Sequence, residues 1–123
     1  MNKILLDSDV IINILKKRRE TIDKLTSFEN SEFYISPITI AEVYTGARDN
    51  EIEQIKELFS YFIHLDINSK IGEITGNYAN QFRKAFNGIS LEDYMIAGTA
   101  KYYNLKLWTY NLKHYPMRDL IFI

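Results

Sequence analysis

The feature that most constrains this chain is its opening, Lys3-Ile4-Leu5-Leu6-Asp7-Ser8-Asp9-Val10-Ile11-Ile12, where an apolar run drives directly into two carboxylates. An apolar run beside the N-terminus, broken by Asp7 and followed by a helix-like pattern, reads as a strand buried on both faces that ends in a strand-to-helix turn. In an open parallel sheet, ligands bind in the crevice outside the carboxyl ends of the strands, so Asp7 at the strand's last position projects into that crevice. Capping is the competing role. An Asp or Ser after a strand commonly accepts from the first amides of the next helix, and Ser8 or Asp9 can serve in the same way.

The 123 residues suit one domain, 1–123, with a single core. Five Gly and two Pro argue against long linkers, and the sequence carries no internal repeat. The absence of cysteine excludes a disulfide scaffold and thiolate metal sites, and it fits a reducing cytoplasm. No segment has the length and apolarity of a membrane span. Asp7 and Asp9 interrupt what would be the apolar core of a signal peptide, so the expected location is cytoplasmic. The net charge of −1 is not that of a general nucleic-acid binder. Its distribution changes the picture: with the four charges of Asp7, Asp9, Glu42 and Asp93 set aside as one site, −1 becomes +3 for the remaining surface.

Along the chain, Val10 to Leu15 predicts a short helix ended by Lys16-Lys17-Arg18-Arg19, a run that reads as a solvated helix end or as a phosphate-contacting corner. Ile22, Leu25 and Phe28 continue at helical spacing, and Phe33-Tyr34-Ile35-Ser36 is the second strand, closed by Pro37. The helix from Ile38 to Arg48 carries Glu42, with Thr45 and Gly46 on the same face. A glycine inside a helix costs about 1 kcal/mol relative to alanine, so Gly46 marks an expected close approach to the backbone beside Glu42. Glu51 to Phe62 is amphipathic, Ile63 to Ile67 is the third strand with His64 as a structural or surface residue, and Ser69 to Phe86 is a long helix stopped by Asn87-Gly88. Ser90 to Asp93 has the spacing of a capping box, yet Asp93 also shares a helix face with Ile96, Ala97 and Ala100. A carboxylate on a buried face needs compensation, and a metal ion supplies it. Leu105 to Thr109 is the fourth strand, ending at Tyr110-Asn111; His114 and Tyr115 follow in a loop, with His114 at most a substrate contact, and Leu120 to Ile123 predicts a short closing strand. Strands alternating with helices imply βαβ units and a parallel sheet covered on both faces.

Asp7, Glu42, Asp93 and Asn111 are hard oxygen donors without His or Cys among them, a set suited to Mg²⁺ or Mn²⁺. Four blocks carry a resemblance: Ile4 to Ile12, Ile38 to Ala47, Gly88 to Ala100, and Leu107 to Tyr115. In this order and spacing, over essentially the whole chain, the sequence resembles the PIN-domain family, specifically the small VapC-type toxins of toxin–antitoxin pairs. The resemblance implies a three-layer α/β/α fold around a mostly parallel sheet of four to five strands. It further implies that Asp7, Glu42 and Asp93 bind a catalytic Mg²⁺ (or Mn²⁺), with Asn111 at a fourth polar position and Asp9 as an auxiliary. The implied reaction is metal-assisted hydrolysis of RNA phosphodiesters, with an antitoxin protein and a second copy of the chain as partners. Two departures stand out. Asn111 occupies a position that is often Asp in the family, and Asp9 one that is often Asn. Glu92 points about 100° away from Asp93 on a helix and ranks below it.

A haloacid-dehalogenase-like phosphotransferase shares the opening Asp7-Ser8-Asp9, but after Thr109 the only acid is Asp119, which leaves that family's later paired acids unmatched. A phospho-receiver domain requires its acidic pair elsewhere. The non-enzymatic alternative is a degenerate PIN-like module that binds RNA or holds antitoxin arginines on its carboxylates.

Overall fold

A computed structural model describes residues 1–123. Four parallel strands, β1 (Asn2–Leu6), β2 (Ser31–Ile35), β3 (Ile63–His64) and β4 (Lys106–Trp108), form one sheet in the order β3-β2-β1-β4. Six helices cover it: α1 (Ser8–Leu15), α2 (Arg19–Ser27), α3 (Pro37–Thr45), α4 (Ile52–Phe59), α5 (Ser69–Phe82) and α6 (Leu91–Tyr103). This is the expected α/β/α architecture. None of these helices is long and apolar enough to cross a membrane.

The strand order sets the layers. The chain steps outward from β1 through β2 to β3, then returns across the sheet to β4 on β1's other side, which makes the β1/β4 boundary the topological switch point. β1 is buried on both faces, and its side chains alternate accordingly. Ile4 and Leu6 enter the core beneath α1, α3 and α4 with Val10, Ile35, Phe59 and Trp108; Leu5 enters the opposite core beneath α5 and α6 with Tyr94, Ile96 and Leu107. All three β1 residues are fully buried, so truncating any to alanine is expected to cost about 2–5 kcal/mol.

Helix boundaries follow local chemistry. Ser36 caps α3 by accepting from the amide of Thr39 (3.3 Å), and Pro37 sits in the first turn of that helix. Pro37 therefore opens α3, where its missing N–H is no loss, in addition to ending β2. α5 stops at Phe82, short of the expected Phe86. β3 is reduced to two exposed residues at the sheet edge, with His64 donating through Nε2 to the carbonyl of Phe59 (2.8 Å), a structural role. The expected closing strand at Leu120 to Ile123 contributes a single bridge, Phe122 to Leu107.

Gly46 corrects the expectation from sequence outright. It is the C-cap of α3 with φ of −92°, and a Cβ built on it meets nothing within 4 Å. The close approach lies instead at Gly98 in α6, where a Cβ would stand 2.5 Å from Thr75 Oγ1 and 3.3 Å from the carbonyl of Ile71. Gly98 is what lets α6, the helix that begins beside Asp93, press against α5.

Candidate active site

The register pairs Leu6 with Trp108, and the ladder continues as the amide of Asp7 donates to the carbonyl of Trp108 (3.0 Å). Asp7 and Thr109 thus leave the sheet side by side at the switch point. Asp7 is both strand end and helix cap: Oδ1 accepts from the amide of Ser8 (2.8 Å), while Oδ2 accepts from Thr109 Oγ1 and from the Tyr115 hydroxyl (each 2.8 Å). The two roles that compete in the sequence are held by different oxygens of one buried carboxylate. Burial, reinforced by the charge of Asp7, pushes the Tyr115 hydroxyl far up, so it remains a donor throughout the working pH range.

Asp9 lies in the first turn of α1. Its Oδ2 accepts from the amide of Tyr110 (3.0 Å), and its Oδ1 is buried without any partner. Burial and the neighbouring Asp7 charge raise its carboxyl to about 6. Glu42 is delivered from α3, whose first turn is tied to β1 by Thr39 Oγ1 donating to the carbonyl of Leu6 (3.4 Å). It is exposed at the rim, and its carboxyl is also raised, first by desolvation and then by Asp7, with Asp93 and Glu92 adding to the effect and Ser8 opposing it. Asp93 completes the capping box expected from the sequence, the Ser90 amide donating to its Oδ2 (3.3 Å) and its own amide to Ser90 Oγ (3.2 Å). The same Oδ2 meets His114 Nδ1 at 2.9 Å, and that nitrogen lies 2.8 Å from the Asn111 amide. The capping carboxylate is thus also the one that meets His114.

The sequence-derived residues Asp7, Asp9, Glu42 and Asp93 therefore face one crevice and feel one another's charge. They ring it without closing on a common point, since no three acidic, His or Cys side chains stand close enough to hold an ion, and ligation by three of them requires side-chain rotation. Asn111 stands beside the same His114 Nδ1, which can donate to Asp93 or accept from the Asn111 side chain but not both at once, and its backbone amide donates to Thr109 Oγ1 (3.0 Å). Thr109, Tyr115 and the bond between His114 and Asp93 are absent from the sequence-derived set. Thr109 was recoverable from the register of two apolar runs; Tyr115 and His114 follow a loop whose path no periodicity reports.

No Lys or Arg pairs with Asp7, Asp9, Glu42 or Glu92, and the only cationic partner available to Asp93 is protonated His114. A group of like-charged carboxylates, with the proton affinities of Asp9 and Glu42 raised, an all-oxygen donor set and an orphaned buried oxygen on Asp9 fits a divalent cation. The family model for the PIN domain matches residues 4–119. This chain belongs to the PIN-domain family. Within it, the chain is 34% identical to Ribonuclease VapC10 of Mycobacterium tuberculosis over 115 residues, covering 93% of this chain and 86% of that protein. The PIN fold superposes on VapBC-1 from nontypeable Haemophilus influenzae with a TM-score of 0.83 at 29% identity, covering 98% of this chain and 96% of that one. A toxin–antitoxin complex from Klebsiella pneumoniae gives a TM-score of 0.81 at 26% identity, with 98% and 96% covered. This PIN domain is thus a member of the VapC ribonuclease family.

Beside Glu42, a cleft of about 260 Å³ opens between α1, α3 and α4, lined by Ile12, Leu15, Val43, Ala47 and Ile55. It adjoins the acidic crevice through Glu42, and Lys16, Glu51 and Gln54 line it beside these five apolar side chains.

Proposed function

We propose that this VapC-family ribonuclease cleaves RNA phosphodiesters with Mg²⁺ (or Mn²⁺) held by Asp7, Glu42 and Asp93, with Asp9 and Asn111 as auxiliary polar groups. The observation that carries the reading is the gathering of acidic side chains without Lys or Arg partners around the β1/β4 switch point. When bound, the ion would supply a water of lowered pKa and neutralise charge developing on the phosphate. The chain's own residues prepare the ground. Thr109 and Tyr115 aim Asp7, the Ser90 cap and His114 aim Asp93, and α3 carries Glu42 to the crevice edge. No side-chain general base is required. The activity is set in the cytoplasm, with a homodimer as the assembled form, to be measured by sedimentation. An antitoxin segment presenting apolar side chains to the α1/α3/α4 cleft and a cation to Glu42 would block access to the acidic crevice.

The test compares wild-type protein, free of antitoxin, with Asp93→Asn for cleavage of total cellular RNA in Mg²⁺ and in chelator. Discrete cuts that require both Asp93 and metal are expected, with a loss of about 100-fold or more in the variant. Asn retains the Ser90 cap, so a cap alone would leave activity in place. Absence of cleavage by wild type would favour the binding-only module.

A further inference from the structure

The run Lys16-Lys17-Arg18-Arg19 has no part in the chemistry above, and neither does the exposed ring of Tyr110; Lys16 lines the cleft beside Glu42, and the bond between Tyr110 and Thr21 sets the ring against the start of α2, which follows Arg18. α1 begins at the crevice and ends at Lys16, where Lys17 takes φ of 56°. The amide of Lys17 donates to Ile14 and that of Arg18 to Asn13, a left-handed helix stop that turns the chain sharply into α2. All four cations are exposed. None of Lys16, Lys17 or Arg18 has a carboxylate partner, and Arg19 has only an exposed one, Asp23, at 4.0 Å.

Tyr110 follows Thr109 directly and is held at three points. Its amide donates to Asp9 (3.0 Å), its ring meets Trp108 edge-on with centroids 6.3 Å apart, and its hydroxyl bonds Thr21 Oγ1 (2.8 Å), a buried residue two positions after Arg19. The residue nevertheless remains 44% exposed. An aromatic side chain fixed by backbone, ring and hydroxyl loses little freedom when a partner settles on its open face. Its anchors run from Asp9 in the acidic crevice to Thr21 beside the cationic corner.

We infer that Tyr110 is a stacking platform for an unpaired nucleobase of the RNA substrate next to the cleavage site, with Lys16 to Arg19 holding the phosphates that follow. This inference rests on the ribonuclease reading and adds to it the residues that grip the strand, since only an unpaired base offers a free face and can splay onto a side chain. Cations supply strand-tracking attraction that the acidic crevice lacks, and the ring supplies a sequence-tolerant surface.

The experiment measures cleavage of a fluorescein-labelled single-stranded oligoribonucleotide by the full chain in Mg²⁺, beside the same strand annealed to its complement. Tyr110→Ala is expected to raise KM by about 5- to 100-fold with kcat nearly unchanged, while Tyr110→Phe and Tyr110→Trp stay near wild type. Lys16→Ala/Lys17→Ala/Arg18→Ala should raise KM and flatten its salt dependence by about 0.7 in log–log slope for each phosphate that the missing cations neutralised. The duplex should be a poor substrate for all. An unchanged KM in Tyr110→Ala overturns the inference while leaving the nuclease intact. Equal losses in Tyr110→Phe and Tyr110→Ala also overturn it, because they trace the effect to the hydroxyl tie with Thr21. Should wild type cleave nothing, the ribonuclease reading fails, and anisotropy of the same strand decides separately: binding that needs the Tyr110 ring upholds the platform, and binding indifferent to it, or none, overturns it.

Discussion

Two aspartates in this molecule accept a bond from a tyrosine hydroxyl, and their surroundings differ in one respect. Asp119 receives Tyr78 (3.0 Å to each oxygen) and also Lys101 (3.1 Å). Burial works to raise its carboxyl, but the bonds from Lys101 and Tyr78 prevail and hold it below the usual range. Asp7 receives Tyr115 and Thr109 and no cation, among neighbours Asp9 and Glu42 whose carboxyls are both raised. At one corner the charge is neutralised by the chain itself; at the other the chain gathers like charges and leaves them uncompensated. Such an arrangement weakens the metal-free fold and favours any complex with a divalent cation, so the difference separates a carboxylate neutralised by the chain from one left to be neutralised from outside.

The sharpest way to break this contrast is to exchange the two acids for their amides. Asp7→Asn is expected to abolish RNA cleavage, a loss of about 100-fold or more. Asp119→Asn should leave kcat and KM unchanged and lower stability by only about 0.5 kcal/mol, the scale of a half-exposed ion pair, read by denaturant titration. Equal activity losses in both would erase the distinction.

The second test uses pH. Asp9 has a folded pKa raised to about 6 above an ordinary value of 3.8, so its favourable contribution is complete below the ordinary value and is lost as pH rises through 6. Glu42 acts in the same direction. In chelator, the melting temperature should therefore fall between about pH 4 and pH 6.5, and saturating Mg²⁺ at about a hundredfold its Kd should restore about 2.7 kcal/mol above that range. Asp9→Asn keeps an oxygen for the Tyr110 amide and places an amide where the orphaned oxygen stood. It should stabilise the chelated protein at about pH 7.5 by about 1 kcal/mol, after discounting for partial exposure, and flatten the pH slope. A melting temperature that rises with pH in chelator would contradict the uncompensated cluster.

Gly46 and Gly98 show how sequence reading succeeds and where it slips. Of the glycines inside helices, Gly98 marks a close approach, against Thr75, whereas Gly72 and Gly76 in α5 meet nothing within 4 Å. Gly46 looks the same in sequence but ends its helix, because its neighbours Thr45 and Ala47 cannot report where α3 stops. The cap at Asp93 was legible, since capping depends on a three-residue spacing, while the buried face expected for it is only half-buried. Glu42 was singled out for a reason, Gly46, that the structure does not support. Its position follows instead from α3 being tied to the end of β1 through Thr39.

By itself the sequence determined a parallel α/β sheet around Ile4 to Leu6, a carboxylate at the end of β1, and a helix-borne acid at each of Glu42 and Asp93, because apolar periodicity and capping act over a few residues. Only the tertiary structure decided that Thr109 and Tyr115, 102 and 108 residues away, would hold Asp7, and that His114 would reach Asp93. The physical reason is that those pairings are set by the return of the chain across the sheet to β4 and the path of the loop beyond it, and hydrogen bonds between distant residues leave no period in the chain.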